Sequence, residues 1–468
     1  MKMQSTRGWL NKQYHKLFEN ELIRRMIINA SYLFSTNGIS AVLSMLQGIL
    51  TARLLGVAGF GILGTITLFI STINNLASFR MSELVVKYIG HYTENGDQRR
   101  AAAIFKAAAL TEMLASLFAF VLIILLAPIG ARYFAKDPGI APLFTIYGLV
   151  VLANFIAETS TGFLQITDRF RRIAGLNLVQ SIITLFIITL CYLYGGNLTS
   201  ILLAYLIGKT FGALGITISA LTEASKRWGS KWWQTPLGLL RQQWRELAQF
   251  AVSTNISATI SLVTKDSEIL WVSLLGNPLQ AGYYKLALAL ANIVQMPVEP
   301  LPQATYPELS RQVARRNWNN LRYILRQGSR LAGGYSLLMT LTLILIGRPI
   351  IQFIYKPEFL PAYPALIILL IGLLVANTFY WRRIALLAMG RADFPAKINF
   401  ILAILKAGGI LLLVPRYGYL ASAALLSVFY ISGSAISVLK IRSLIESAIC
   451  QDKSTDPERC PKPERNSG

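Results

Sequence analysis

A chain of 468 residues with a mean hydropathy of +0.50 and only 14% charged residues is not a soluble globule. The net charge of +23 would suit a nucleic-acid partner in a soluble protein. No compact basic domain exists to carry it, so nucleic acid is excluded and the charge reads as loops meeting anionic headgroups.

The first 26 residues are polar and basic, and no cleavable signal is expected there. Twelve apolar stretches follow, near 27–51, 60–79, 104–127, 141–163, 173–194, 198–221, 249–275, 283–306, 330–354, 362–388, 398–415 and 418–441. Each is near the roughly 20 residues that a helix needs to cross about 30 Å of hydrocarbon. The loops between them alternate between basic and nearly charge-free. Only Arg53, Arg132, Lys136, Arg348, Lys356 and Arg416 lie in the charge-poor set, and Lys209, Lys265, Lys285 and Lys406 stand within the apolar stretches. An excess of Lys and Arg marks cytoplasmic loops. The expectation is an all-α polytopic protein of a bacterial inner membrane with both termini cytoplasmic. Its parts are a cytoplasmic segment 1–26, a six-helix bundle 27–221, a basic amphipathic linker 222–248, a second six-helix bundle 249–441, and a polar tail 442–468 that reads as disordered.

Span one carries Asn37, Ser40, Ser44, Gln47 and Thr51, and span seven carries Thr254, Ser257, Ser261, Thr264 and Glu268. Both stripes step by three and four, so each occupies one helix face. A stripe of this kind faces protein or water, not lipid. Small polar residues also serve close helix packing, but Gln47 and Glu268 are longer and favour a hydrated cavity. Lys265 lies one turn from Ser261 and Glu268 and is placed to pair with Glu268. Asp266, Glu268 and Glu112 are candidate coupling carboxylates, and Glu158 and Glu299 are further acidic residues in the apolar stretches. Intramembrane charges cost about 2.5–3.5 kcal/mol each on insertion scales and call for partners or function. Cations converging on a cavity suit an anionic headgroup such as a diphosphate. Lys209 and Lys285, near span ends, are also placed to snorkel to the interface. Span eight ends in MPVEPLPQATYP, whose prolines predict a break.

The two halves echo each other. Leu54–Gly64 matches Leu274–Ala287, the basic connectors that follow share a register, and ITDRFRRIAGLN matches AMGRADFPAKIN about 224 residues later. Six spans per half makes the repeat parallel, an arrangement that favours a transporter with its substrate site between two bundles.

The run TKDSEILWVSLLGNPLQAGYYKLALALANIVQMPVEPLPQATYPELSR resembles the signature region of polysaccharide-export flippases, through Asp266, Leu275-Gly276, Gly282-Tyr283-Tyr284, Ala287, Pro297 and Tyr306-Pro307. They belong to the multidrug, oligosaccharidyl-lipid and polysaccharide exporter (MOP) superfamily. The likeness covers about residues 22–445. It implies two six-helix bundles around a central cavity that opens alternately to each side. It also implies transfer of an undecaprenyl-diphosphate-linked oligosaccharide to the outer leaflet, with a polymerase and glycosyltransferases as pathway partners, no cofactor, and a working monomer. The cationic cavity it implies would be supplied by Lys265, Lys209, Lys285 and Lys406, extended at the mouths by Arg53 and Arg80. Flippases of the cell-wall precursor have fourteen spans and arginines deep in the first; this chain has neither, which favours surface-polysaccharide units.

Two other readings remain. An enzyme finds little support: the two histidines, His15 and His91, have no ligand partners at metal spacing, and no phosphate loop or nucleophile motif is present. A cation-coupled multidrug exporter is the alternative within the superfamily. A site for cationic drugs calls for buried carboxylates and few lysines, whereas lysines stand in spans six, seven, eight and eleven.

Overall fold

A computed structural model describes residues 21–261, 267–391 and 393–453. Among the described residues there is no β-strand, and the sixteen α-helices follow the apolar pattern. The chain divides into two compact units, Met1–Val263 and Thr264–Gly468.

The first unit contains α1 (Glu21–Ala77), α2 (Met81–Glu94), α3 (Gln98–Ile129), α4 (Ala141–Ala153), α5 (Ala157–Ile166), α6 (Phe170–Leu193), α7 (Leu198–Trp228) and α8 (Trp244–Ser261). Helix α1 covers the first two expected spans and is broken at Gly56, whose φ of 66° is open to glycine at little cost. Expected span four is also broken: α4 stops at Ala153 and α5 restarts at Ala157.

The second unit contains α9 (Glu268–Leu275), α10 (Pro278–Gln295), α11 (Leu301–Ala314), α12 (Trp318–Ile350), α13 (Ala362–Thr378), α14 (Arg382–Ala388), α15 (Asp393–Tyr417) and α16 (Tyr419–Lys453). The proline run of span eight does break the helix, between Gln295 and Leu301. Helix α16 carries the chain through the start of the expected tail to Lys453. Leu247 and Ala251 are packed in the core of the first unit, so the division falls inside the expected seventh span.

Among the described residues nine segments are long and apolar enough to cross a membrane. Splitting α1 at Gly56 and adding α8 and α10, which carry parts of the expected spans seven and eight, reaches the expected twelve. Helix α3 shows why they suit lipid. Leu114, Leu117, Phe118, Val121 and Leu125 form an exposed stripe of large apolar side chains. Ala108, Ala115, Ser116, Ala119 and Ala127 are buried on the other side. In lipid, burial of apolar surface drives nothing, and helices associate through close packing of small residues.

The duplication is visible in the backbone. Left-handed residues recur as Gly96 and Arg316, Lys136 and Lys356, Asp168 and Gly390, and Gly195 and Gly418. The short π-helical turns Gly130–Phe134 and Ile351–Tyr355 correspond likewise, as do the starts of α2 and α11 and of α3 and α12. All these pairs lie close to 220 residues apart, so a repeat of helices and turns underlies the sequence echoes.

Candidate functional site

The strongest intramembrane constellation in the second unit joins α9 to α15. Lys406 donates to Glu268 in an ion pair whose side chains are 5% and 2% exposed. The ammonium also lies 5.6 Å from the centre of the Phe429 ring on α16. Tyr284, fully buried on α10, stands beside Glu268 and Ser422. Removing two charges from water is costly, and mutual attraction offsets that cost only with good geometry. Four helices therefore meet at one ion pair. Lys285 is half-buried one residue beyond Tyr284.

In the first unit Glu112 on α3 is buried at 6% exposure and spans the break in span four. One carboxylate oxygen accepts the Glu158 N–H at 2.8 Å and the other the Thr159 N–H at 2.9 Å. The start of α5 has donors with no intrahelical partner, so a carboxylate there satisfies two of them and complements the helix dipole. Glu158 in turn faces Ser78, Met81 and the exposed, left-handed Arg80 that precedes α2. Asn255 of α8 donates to the Ser78 carbonyl.

The other expected residues are spread out. Gln47, read as cavity lining, is buried and donates to the Ser181 carbonyl of α6 at 2.9 Å, an interhelical tie. Ser44 and Lys209 are exposed on the unit's own surface. Arg53 is half-buried, and its Nε is enclosed with no acceptor among the described residues. Lys265 and Asp266 lie outside the described residues, as do the side chains of Asn37 and Ser261. The structure thus gives Glu268 a partner in Lys406, and the pairing expected with Lys265 falls outside the described residues.

Two features escaped the sequence reading. Arg382, in the first turn of α14, donates to Ser434 Oγ at 2.7 Å. Its position inside an apolar stretch was the available signal. The Glu268–Lys406 pairing was legible only as depth. Glu268 stands eight residues before Gly276 and Lys406 twelve before Gly418, roughly 12 and 18 Å from turns on the same side.

Comparison with known proteins fits this architecture. A family model described as "Polysaccharide biosynthesis protein" matches residues 27–313, more than half of the chain. The chain belongs to that family. The inner membrane protein YghQ of Escherichia coli (strain K12) is 22% identical over 348 residues, 74% of this chain and 97% of YghQ. An inward-facing multidrug resistance MATE transporter of the MOP superfamily aligns with a TM-score of 0.70 at 14% identity, over 89% of this chain and 96% of its own. The lipid II flippase MurJ in an inward closed conformation aligns with a TM-score of 0.67 at 16% identity, over 92% and 94%. The protein is therefore a multi-pass membrane protein of the polysaccharide biosynthesis family with the MOP transporter fold.

Proposed function

We propose that this chain moves undecaprenyl-diphosphate-linked oligosaccharide units from the cytoplasmic to the outer leaflet of a bacterial inner membrane, by alternating access, for surface polysaccharide assembly. The observation that carries this is the family match over residues 27–313, which spans the first unit and the start of the second. The likeness to a lipid II flippase is consistent with it. In this reading both termini are cytoplasmic, the monomer works alone, and a polymerase and glycosyltransferases act before and after it.

Lys285, Lys209, Arg53 and Arg80 supply the cations for the diphosphate, together with Lys265. Lys406 has a different part. Its charge is matched by Glu268, so exchange of that pairing for a substrate oxygen or a proton is the natural coupling event. Asp266 and Glu112 are the further carboxylates available for coupling. Ser44, Asn37 and Ser261 would line the path, and Gln47 would hold the lining helix α1 against α6.

A second reading, export of multidrug substrates coupled to a cation, is favoured by the TM-score of 0.70 to a MATE transporter and by the buried carboxylates Glu112 and Glu268. Deleting the gene separates the two. Accumulated lipid-diphosphate-linked oligosaccharide with lost surface glycan, restored by the gene, supports the flippase. Unchanged lipid intermediates with altered drug sensitivity support the exporter.

A further inference from the structure

Glu223, near the end of α7, is 3% exposed and gathers three guanidinium groups. Arg169 Nη2, just before α6, reaches Oε1 at 2.9 Å, and Arg172 Nη1, in the first turn of α6, reaches Oε2 at 3.4 Å. Arg227 Nε, one turn further along α7, stands 3.6 Å from Oε1. A tie between two helices needs one arginine for one carboxylate. Here two positive charges are left over, and the three arginine side chains remain 43%, 42% and 39% exposed. Each guanidinium has five N–H donors, so many point away from Glu223. Arg169 Nε is enclosed and has no acceptor among the described residues.

The duplication supplies an internal control. Near the corresponding place in the second unit stands Glu446, whose carboxylate is 68% exposed and lies 3.8 Å from Arg322 of α12. The neighbouring Asp393 holds Arg391 and Lys397 at the surface. The fold therefore does not require a buried carboxylate that gathers arginines. The cluster also sits where α6 begins and α7 ends, and Trp228, which follows Arg227 in the chain, packs against Trp232. Tryptophans at span ends mark the headgroup level.

We propose that Arg169, Arg172 and Arg227, oriented by Glu223, form a binding site on the first unit for the phosphate of an anionic lipid in the adjoining leaflet. Guanidinium forks match phosphate oxygens in charge and geometry, and basic pockets between spans at the cytoplasmic side are suited to acidic headgroups. Glu223 is a positioning residue that holds the three forks and keeps them from repelling one another. The proposal does not rest on the transport reading.

The test uses the full chain purified in detergent and titrated with phosphatidylglycerol, with bound lipid counted by native mass spectrometry. The triple variant R169Q/R172Q/R227Q should retain one lipid fewer than the wild type. R172Q, whose contact to Glu223 is long, should weaken that lipid about tenfold and guards against misfolding of the triple variant. R171Q removes the same charge from the neighbouring residue and should leave binding unchanged. Equal lipid retention by wild type and cluster variants would overturn the site. Equal weakening by R171Q would reduce it to diffuse charge and would also overturn it. Sodium diphosphate added in competition distinguishes the sources: displacement of the lipid at comparable concentration would identify a soluble phosphate as the occupant in place of a lipid.

Discussion

Lys406 on α15 and Glu268 on α9 form an ion pair with 5% and 2% of their side-chain surface exposed, in a region of both helices that is otherwise apolar. Neither charge is tolerable there alone. Lys406→Ala should destabilise the protein by about 3–5 kcal/mol, since it leaves a buried carboxylate without its cation. The double variant K406A/E268A should recover much of the loss, a coupling that a double-mutant cycle of thermal unfolding in detergent measures. Additive losses would show that the two residues do not act as a pair. Lys265→Ala, by contrast, should leave the protein folded and inserted while export is lost, with surface glycan as the readout.

Glu112 holds the start of α5 by accepting two backbone N–H groups. Glu112→Ala strands both, at about 1–3 kcal/mol for each buried donor left unpaired. Glu112→Gln keeps one acceptor oxygen and should lose less. Thermal stability of the purified variants checks the order wild type, Gln, Ala; an alanine variant as stable as the wild type would contradict it.

Close helix approach depends on two glycines. A Cβ on Gly162 would lie 2.7 Å from the Ser82 carbonyl oxygen, and one on Gly372 would lie 2.6 Å from Ser427 Cα. Both obstacles are backbone, which cannot rotate away. Gly162→Ala and Gly372→Ala should each cost about 1–3 kcal/mol through overpacking. Gly408→Ala, with nothing within 4 Å of the added carbon, should be neutral or stabilising by up to about 1 kcal/mol. Unfolding midpoints of the three variants test the contrast.

Tyr88, on the connector α2, donates to Glu246 Oε1 at 2.8 Å. Burial, and then the Glu246 carboxylate, push its phenol up to about 12. The unfolded phenol loses its proton near 10, so between 10 and 12 the folded state binds more protons. The stability from this group is fully present below pH 10 and is lost as pH rises through 12. Tyr88→Phe should remove this part of the alkaline decline. Unfolding midpoints of wild type and variant from pH 9 to 12 should converge at the alkaline end, and a constant difference across that range would contradict the assignment.

Much of the fold was legible in the sequence. Apolar length located the spans, and loop register located the duplication that the recurring left-handed residues Asp168 and Gly390 bear out. The prolines 297, 300, 302 and 307 announced the interruption after α10. The break between Ala153 and Ala157 was not announced, because VVLANFIAET contains no Pro or Gly and its cause is tertiary: Glu112, more than forty residues away, satisfies the freed donors. The same holds for the charges. Residue type showed that Glu268 and Lys406 needed partners, but a pairing across 138 residues depends on helix rotation and depth, which one stripe pattern does not carry. Gln47 illustrates the converse, since a long amide on a polar face serves equally to line a cavity or to tie two helices.

Translocation of a lipid-linked diphosphate can be followed in reconstituted vesicles. Purified protein would be placed in liposomes carrying a fluorescent polyprenyl-diphosphate oligosaccharide, and the share of label reached by a membrane-impermeant quencher followed over time. The protected inner-leaflet pool should become accessible with wild-type protein and stay protected in protein-free vesicles and with Lys265→Ala. Protection unchanged by wild-type protein, in vesicles where the same preparation moves a cationic drug, would contradict translocation.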